Sequence, residues 1–305
     1  MCTARPSYKS ISFMQTFTYK DRMFNVKLDM ANIMRIDDVR KTVTVEPMVT
    51  VGQLNDYLVT QGWTLPIVPE LDDLTIGGLV MGGGLEVTSF KYGLFQEICR
   101  SYELVMADGS VKNCSRDQNS DLYHAVPLSY GTIGFLTAVT IEIIPFKPYL
   151  ELKYTPVYSQ EAGIELLTTE SLNATLDTVE GFMFSKEEGV IMSGRYVDEP
   201  TGDVNEIGWW YKPWFYEHVR SILEEERESG GSRTEVVPTL DFFRRHQRPI
   251  FWLLRYGVSF GNNPIYRQAL LTSLAFRYLT TLMFQVSLRL ALPTEILSPS
   301  TNDQK

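Results

Sequence analysis

The hydrophobic and polar positions of residues 42–62 predict a bent strand followed by a short helix. Valines alternate with polar residues from Thr42 to Val51, and Pro47 interrupts the alternation, so the strand is predicted to break or bend there. Apolar residues then recur at helical spacing from Gly52 onwards. Gly62 follows as a residue type that commonly ends helices.

The pattern between residues 102 and 144 predicts a hairpin, a helix and another strand. Two β-prone runs flank Asp108-Gly109, a dipeptide that favours tight hairpin turns. Ser120 is suited to cap a helix that starts there, and a β-prone run covers residues 135–144. The first half of the chain is therefore expected to mix strands with short helices.

Beyond residue 150 the pattern predicts a strand, a helix and two further strands. These elements cover residues 150–157, 161–170, 179–185 and 190–197, and the residues between the last two strands are expected to form a hairpin turn. This order is typical of an antiparallel sheet with helices on one face, an α+β arrangement. A highly charged helix with a solvated face is predicted over residues 217–228.

The most informative segment is the glycine-rich run between Thr75 and Val87. Five glycines fall within eight residues, and the apolar neighbours, Leu85 among them, favour a buried loop over a flexible linker. The N–H groups of such a loop need partners, which an anion such as a cofactor phosphate supplies. The glycine spacing fits neither the Walker nor the Rossmann phosphate-binding motif. The run is therefore either a different kind of dinucleotide-binding segment, here called the cradle, or not a dinucleotide-binding segment at all.

Charge and histidine placement narrow the range of partners. The net charge of −9 argues against nucleic acid, which requires a basic surface. Histidines occur only at positions 124, 218 and 246, without metal-ligand spacing, so no metal site is predicted. The longest apolar stretch, Ala269 to Leu292, contains two arginines, which favours a packed or interfacial helix over a transmembrane one.

Two aromatic segments leave alternatives open. Residues 209–216 contain six aromatic side chains, which suit either a core or interface or a wall that binds a flat apolar ligand. Residues 242–252 place basic side chains beside aromatic ones. They suit a cofactor-phosphate or membrane-surface patch, although a structural ion-pair cluster is the favoured interpretation.

Several motifs occur in a fixed order along the chain. They are VEPMVTVGQL (45–54), PELDDLTIGG (69–78), KYGLF (91–95), SDLY (120–123), GTIGF (131–135), YKPWF (211–215) and FGNNPIYR (260–267). In this order they resemble the FAD domain of the vanillyl-alcohol-oxidase (PCMH) type, and within it the family of Δ24-sterol reductases. The resemblance covers roughly residues 1–267.

The resemblance implies an α+β fold and a division of the chain. A PCMH-type FAD-binding domain is expected over residues 1–147, a partial antiparallel α+β substrate domain over 148–268, and a divergent tail over 269–305. It also implies an FAD enzyme that reduces the C24=C25 side-chain double bond of sterols, as in desmosterol to cholesterol, with NADPH as the electron source. The expected place is the cytosolic face of the endoplasmic reticulum membrane.

The same resemblance implies which residues contact FAD. Backbone N–H groups of the glycine segment would face its pyrophosphate, and a second loop would approach the nucleotide. The implied cofactor-binding residues are Thr75, Ile76, Gly77, Gly78, Leu79, Val80, Met81, Gly82, Gly83, Gly84, Leu85, Glu86, Val87, Gly131 and Gly134. Many enzymes of this type attach FAD through histidine, but no histidine precedes His124, so non-covalent FAD is expected.

The expected chemistry requires a proton donor as well as the flavin. An isolated alkene is a poor hydride acceptor, so a donor should protonate the double bond as hydride arrives. Candidates are Tyr92, which follows the cradle, and Tyr211 and Lys212 in the aromatic segment. A purely structural role is the favoured interpretation for each of them, and the catalytic residue stays unassigned.

The chain also departs from the family pattern. The family carries a membrane anchor and an opening βαβ portion before the segment that resembles residues 1–6, and the similarity fades after about Arg267. We therefore expect a chain truncated at both ends, with no anchor visible. Two alternatives stay open: another FAD-dependent oxidase or dehydrogenase of the same fold, and a truncated, non-catalytic sterol-binding protein.

Overall fold

The computed structural model describes residues 2–3 and 24–247, and two antiparallel sheets dominate this part of the chain. Its strands are β1 (Cys2–Thr3), β2 (Asn25–Val26), β3 (Ile33–Asp37), β4 (Thr42–Val45), β5 (Trp63–Thr64), β6 (Cys99–Val105), β7 (Val111–Ser115), β8 (Phe135–Glu142), β9 (Ile144–Pro145), β10 (Tyr149–Val157), β11 (Thr178–Met183), β12 (Gly189–Val197) and β13 (Arg233–Pro238). Its helices are α1 (Val51–Thr60), α2 (Ile76–Gly82), α3 (Ser89–Tyr92), α4 (Ser120–Ala125), α5 (Gln160–Ser171), α6 (Phe215–Ser229) and α7 (Thr239–Phe243), with a 3₁₀ turn at Phe95–Ile98.

The first sheet has the strand order β3-β4-β8-β6-β7, and all neighbouring strands are antiparallel. Alternate residues of a strand face the same side, and those on the inner side are buried, such as Val43 and Val45 of β4 and Val139 and Ile141 of β8. Leu54 of α1 belongs to the same hydrophobic core. This core supports the segment that carries the glycines.

The predicted strand over residues 42–51 is shorter in the structure. β4 ends at Val45, ahead of Pro47, which has no N–H to donate to a sheet. Thr50 instead caps α1: its Oγ1 accepts a hydrogen bond from the Gln53 N–H at 3.2 Å, and the Gln53 side chain accepts one from the Thr50 N–H at 3.1 Å. The predicted helix follows, and Gly62 after it has a φ of +80°.

The hairpin prediction is confirmed and the capping prediction is not. β6 and β7 pair in antiparallel register around Asp108-Gly109, where the Ser110 N–H donates to Asp108 Oδ1 at 2.9 Å. α4 begins at Ser120 as expected, but Asn119 is its N-cap, with a φ of +48° and no side-chain capping bond. The left-handed backbone that asparagine tolerates takes the place of the expected serine cap.

The second sheet has the strand order β11-β12-β10-β13 and is antiparallel throughout. Its strand, helix and two further strands occur in the predicted order, with every boundary within two residues of the prediction. A turn closes the hairpin of β11 and β12, where the Phe184 N–H donates to the Glu188 carbonyl at 2.9 Å. The α+β fold class is therefore confirmed.

The charged helix α6 has the predicted solvated face and also a buried one. Its aromatic and aliphatic side chains Phe215, Val219, Ile222 and Leu223 are almost fully buried. The charges occupy the other side of the helix, where Arg220 and Glu224 form an ion pair at 3.4 Å.

In the part of the chain that the structure describes, no helix is both long and apolar enough to cross a bilayer. The apolar stretch from Ala269 to Leu292, the motif at residues 260–267 and the predicted tail lie outside the described residues.

Candidate cofactor site

The glycine segment forms a short helix rather than the predicted loop. Thr75 caps α2, and its Oγ1 accepts a hydrogen bond from the Gly78 N–H at 3.3 Å. The expected burial is confirmed for Ile76, Leu79 and Val80, which face the core of the first sheet. The expected burial is wrong for Leu85. This residue follows the helix, does not share its inner face and is 75% exposed.

The first turn of α2 uses its N–H groups within the protein. The Ile76 N–H donates to the Val49 carbonyl at 3.0 Å, and the Gly77 N–H donates to the Pro47 carbonyl at 2.8 Å. A Cβ on Gly77 would lie 2.7 Å from the Pro47 Cβ, so this glycine permits close packing. The N–H groups of Ile76 and Gly77 therefore have acceptors within the protein and need no anion.

The C-terminal end of α2 contacts the second predicted cofactor segment. The Leu128 N–H donates to the Val80 carbonyl at 3.0 Å, and the Tyr130 N–H donates to the Met81 carbonyl at 3.3 Å. The Ser129 hydroxyl lies 3.3 Å from the Met81 sulfur. The structure thus brings together the glycine helix and the loop that leads to Gly131, although about fifty residues separate them in sequence.

Left-handed backbone conformations concentrate at this junction. Leu128 and Tyr130, which are not glycines, have φ values of +60° and +52°, and Gly83 and Gly131 have +85° and +73°. A bulky residue with positive φ is rare and strained. The loop therefore holds a shape that its own residues disfavour, which is a feature of ligand-binding loops.

The residues just beyond α2 fit an anionic ligand. Among the described residues, the N–H groups of Gly84, Leu85 and Gly131 have no hydrogen-bond acceptor. A Cβ added to Gly82 or Gly131 would meet nothing within 4 Å, so protein packing alone does not require glycine there. Gly134 differs, because a Cβ would lie 3.3 Å from the Val105 carbonyl. We name the group Gly82, Gly84, Leu85 and Gly131 the junction.

A cluster of charged side chains that includes Glu86, the residue after the junction, lies around the buried Arg245. Arg245 makes four hydrogen bonds: two to Glu180 at 3.0 and 3.1 Å, one to Glu70 at 3.0 Å and one to the Phe242 carbonyl at 3.0 Å. Its guanidinium lies 4.1 Å from the centroid of the Phe242 ring. We name Glu70, Glu86, Glu180, Arg245 and His246 the buried cluster.

The carboxyl groups of the buried cluster have opposite pKa shifts. Burial raises the pKa of Glu86 from 4.5 to about 9, and the negative charge of Glu70 adds to the increase. Burial acts on Glu180 in the same direction, but Arg245 and His246 outweigh it and lower the pKa of Glu180 to about 2. At neutral pH Glu180 is therefore ionised, whereas Glu86 keeps its proton.

The buried cluster does not suit a metal ion. Oxygen and nitrogen atoms of Glu70, Glu180 and His246 lie within 4.8 Å of one another. However, Nη2 of Arg245 lies 3.0 Å from an oxygen of each carboxylate and already compensates their charge. The neighbouring Arg244 likewise bonds Asp56 at 2.6 Å and Asp72 at 3.0 Å. For these arginines, the structural ion-pair interpretation of residues 242–252 is confirmed; the segment beyond residue 247 lies outside the described residues.

None of the three proton-donor candidates lines the small cavity beside the buried cluster. This cavity is lined by Glu86, Arg245 and Tyr196, among others. Burial raises the pKa of Tyr92. Tyr211 is 54% exposed, and Lys212 Nζ donates to Asn205 Oδ1 at 2.9 Å. The sequence named Glu86 only as part of the cofactor segment and did not indicate its raised pKa, because Glu70, Glu180 and Arg245, which act on it, are distant in sequence.

The aromatic segment 209–216 divides into two parts. Trp214, Phe215 and Tyr216 are almost fully buried, in agreement with the core interpretation, whereas Trp209 and Trp210 are 49% and 44% exposed. The exposed part keeps the binding-wall interpretation open.

A family model matches the part of the chain that contains the glycine segment. Residues 4–115 match a family model described as an FAD binding domain. The chain is 47% identical over 268 residues to the Δ24-sterol reductase of Homo sapiens, which covers 88% of this chain and 51% of that protein. The resemblance to Δ24-sterol reductases is confirmed. A Δ24-sterol reductase homolog of Caenorhabditis elegans is 44% identical over 282 residues, covering 88% of this chain and 53% of that protein.

The chain spans about half the length of these sterol reductases. It is also 27% identical over 195 residues to the L-gulonolactone oxidase of Mus musculus, across 62% of this chain and 41% of that enzyme. Similarity to the sterol reductases thus extends over more residues and at higher identity than similarity to this sugar-lactone oxidase.

Proposed function

We propose that this chain forms the FAD-binding part of an oxidoreductase that reduces the C24=C25 double bond of a sterol side chain, with NADPH as the electron source. The observation that carries the proposal is the extent of the sequence match. Identity of 47% runs over 268 residues, well beyond residues 4–115, which the FAD-binding family model matches. It therefore includes the second sheet, where a substrate domain is expected.

Within this proposal, FAD is bound non-covalently along residues 75–87 and beside Gly131 and Gly134. The free N–H groups of the junction would face the pyrophosphate, since backbone donors suit a chain with a net charge of −9. Bound FAD supplies the hydride chemistry. The proposed domains are residues 1–147 for FAD, 148–268 for substrate and 269–305 as a divergent tail, at the cytosolic surface of the endoplasmic reticulum membrane.

Two other functions would give different results in a test of flavin content and sterol reduction. A sugar-type FAD oxidase is the alternative suggested by the match to L-gulonolactone oxidase, and a sterol-binding protein without flavin is the non-enzymatic one. The purified chain should be yellow and release FAD on denaturation, and with desmosterol and NADPH it should form cholesterol, measured by mass spectrometry. A colourless protein that gains no flavin absorbance with added FAD would refute the proposal.

Gly82 offers a specific test of the junction. A Cβ there meets no protein atom within 4 Å, so Gly82→Val should leave the melting temperature of the flavin-free protein unchanged. It should reduce FAD retention at least tenfold, because the side chain would block the approach of FAD to the backbone. Gly202 is the matched control, because it is exposed and equally open, and Gly202→Val should retain FAD fully. Equal flavin content in the two variants would exclude Gly82 from the cofactor site.

Other glycines of α2 make weaker tests. Gly83 has a φ of +85°, and a Cβ on it would lie 2.9 Å from Leu128, so its replacement disturbs the protein whether or not FAD binds. A Cβ on Gly78 would lie 3.0 Å from the Thr75 hydroxyl that caps the helix. Loss of flavin from either variant would therefore have two explanations.

A further inference from the structure

Glu86 occupies a distinctive place between the junction and the buried cluster. It follows Leu85 directly, and its side chain lines the small cavity together with Arg245 and Tyr196. Its backbone is fixed by two hydrogen bonds: the Glu86 N–H donates to Ser89 Oγ, and the Ser89 N–H donates to the Glu86 carbonyl, both at 2.9 Å. These bonds fix the backbone of Glu86 directly after the junction, where FAD is proposed to bind.

The one cation that acts on Glu86 is shared with two other carboxylates. Glu70 and Glu180 both form ion pairs with Arg245, which commits four hydrogen bonds to other groups. Among the described residues, no ion pair includes Glu86; the charge of Arg245 and a backbone hydrogen bond from Glu70 lower its pKa, but burial and the charges of Glu70 and Glu180 outweigh them. The other titratable groups of this region are His246, which lies 3.3 Å from Glu180, and the half-buried Tyr196, which lines the same cavity. A third carboxylate beside a single guanidinium would be compensated only in part, so the neutral acid is favoured.

We propose that Glu86 is the proton donor to the sterol double bond, an inference that rests on the proposed function. Reduced FAD, when bound, would supply the hydride and the two electrons. Glu86 would give its carboxyl proton to the other alkene carbon, where the π electron pair forms the second C–H bond, so that the double bond becomes a single bond and Glu86 is left as a carboxylate. A proton from solvent then restores the acid through the cavity.

The chemistry of the neighbouring groups favours Glu86 over other donors. A general acid works best when its pKa lies near the working pH. The pKa of Tyr196, in the same cavity, is raised well above that range by burial, and the pKa of Tyr92 is also raised. A carboxylic acid that stays protonated at neutral pH is the stronger donor.

The test compares Glu86→Gln with wild-type protein and with Glu97→Gln, which removes an exposed carboxylate from the same half of the chain. Infrared spectra at pH 7 should contain the carbonyl band of a protonated carboxyl in wild type and in the Glu97 variant, and Glu86→Gln should lose it. All three proteins should retain FAD and allow its reduction by NADPH, because residues 75–87 are proposed to bind FAD through backbone N–H groups, which these substitutions keep. Turnover of desmosterol should fall at least a hundredfold in Glu86→Gln alone.

The results separate this inference from the proposed function. Absence of the protonated-carboxyl band, or turnover by Glu86→Gln within threefold of wild type, would overturn the role of Glu86. Wild-type protein that binds FAD but never reduces desmosterol would overturn the sterol-reductase function, and the donor role with it. A merely structural Glu86 would lower flavin retention together with turnover, whereas a donor lowers turnover with flavin content and flavin reduction unchanged.

Discussion

Replacing Glu86 by glutamine should make the protein more stable at neutral pH. The pKa of Glu86 is 4.5 in an unfolded chain and about 9 in the native state, so between these values only the native state holds the proton. Folding stability then falls by about 1.4 kcal/mol for every pH unit above 4.5. At pH 7 this amounts to about 3 kcal/mol, which the uncharged and isosteric glutamine does not lose.

The gain should therefore depend on pH in a defined way. Glu86→Gln and wild type should be equally stable near pH 4, where the glutamate is protonated in both states, and should diverge up to pH 7. Urea unfolding followed by tryptophan fluorescence at several pH values measures this difference, and the melting temperature at pH 7 should rise by about 6–12 °C. The exposed variant Glu97→Gln controls for the loss of one negative charge.

Two results would refute this reasoning. A variant less stable than wild type at pH 7 would mean that Glu86 is ionised and paired in the native state. A gain that is the same at pH 4 and pH 7 would mean that packing, not the retained proton, is responsible. Glu180→Gln in the same cluster should have the opposite effect and lower stability at neutral pH. Because the pKa of Glu180 is lowered to about 2, this carboxylate stabilises the fold above pH 4.5, and the stabilisation is lost as the pH falls towards 2.

Three further substitutions test the packing around the site. Arg245→Met should lower stability by about 3–5 kcal/mol in urea unfolding, because it removes the guanidinium that donates two hydrogen bonds to Glu180 and leaves that partly buried carboxylate with His246; a loss below about 1 kcal/mol would contradict the ion-pair assignment. Thr50→Ala should cost about 1 kcal/mol through the lost capping box of α1, and an unchanged melting temperature would contradict this. Gly83→Ala should cost about 1–2 kcal/mol because of its φ of +85° and its proximity to Leu128, and a stabilised variant would contradict the strained geometry.

Local signals in the sequence were sufficient for much of the fold. The alternation of residues 150–197 and the Asp108-Gly109 turn depend on neighbouring residues, and the structure agrees with both. The glycine segment was harder to predict. Glycine is a poor helix former, so its clustering suggested a loop, but the Thr75 cap and the buried Leu79 and Val80 stabilise a helix. In α2, tertiary packing outweighs the low helix propensity of glycine.

The candidate site was predictable only as two separate segments. Their glycines indicate close backbone approach, but the hydrogen bonds from Leu128 and Tyr130 to α2 depend on the folded chain. The protonation of Glu86 was not predictable, since it results from burial and from how Arg245 is divided between two other carboxylates. Such effects arise between residues far apart in sequence and have no local signature.

The order in which the buried cluster is synthesised has a consequence for folding in the cell. Arg245 follows Glu70 by 175 residues, and Arg244 follows Asp72 by 172. At about 5–20 residues per second, a ribosome needs roughly 10–35 s to add the arginine after the carboxylate it neutralises. During that interval the emerging first sheet cannot bury Glu70 beside its counter-charge. The ion pairs of this region can therefore form only after the second sheet and residue 245 have been translated.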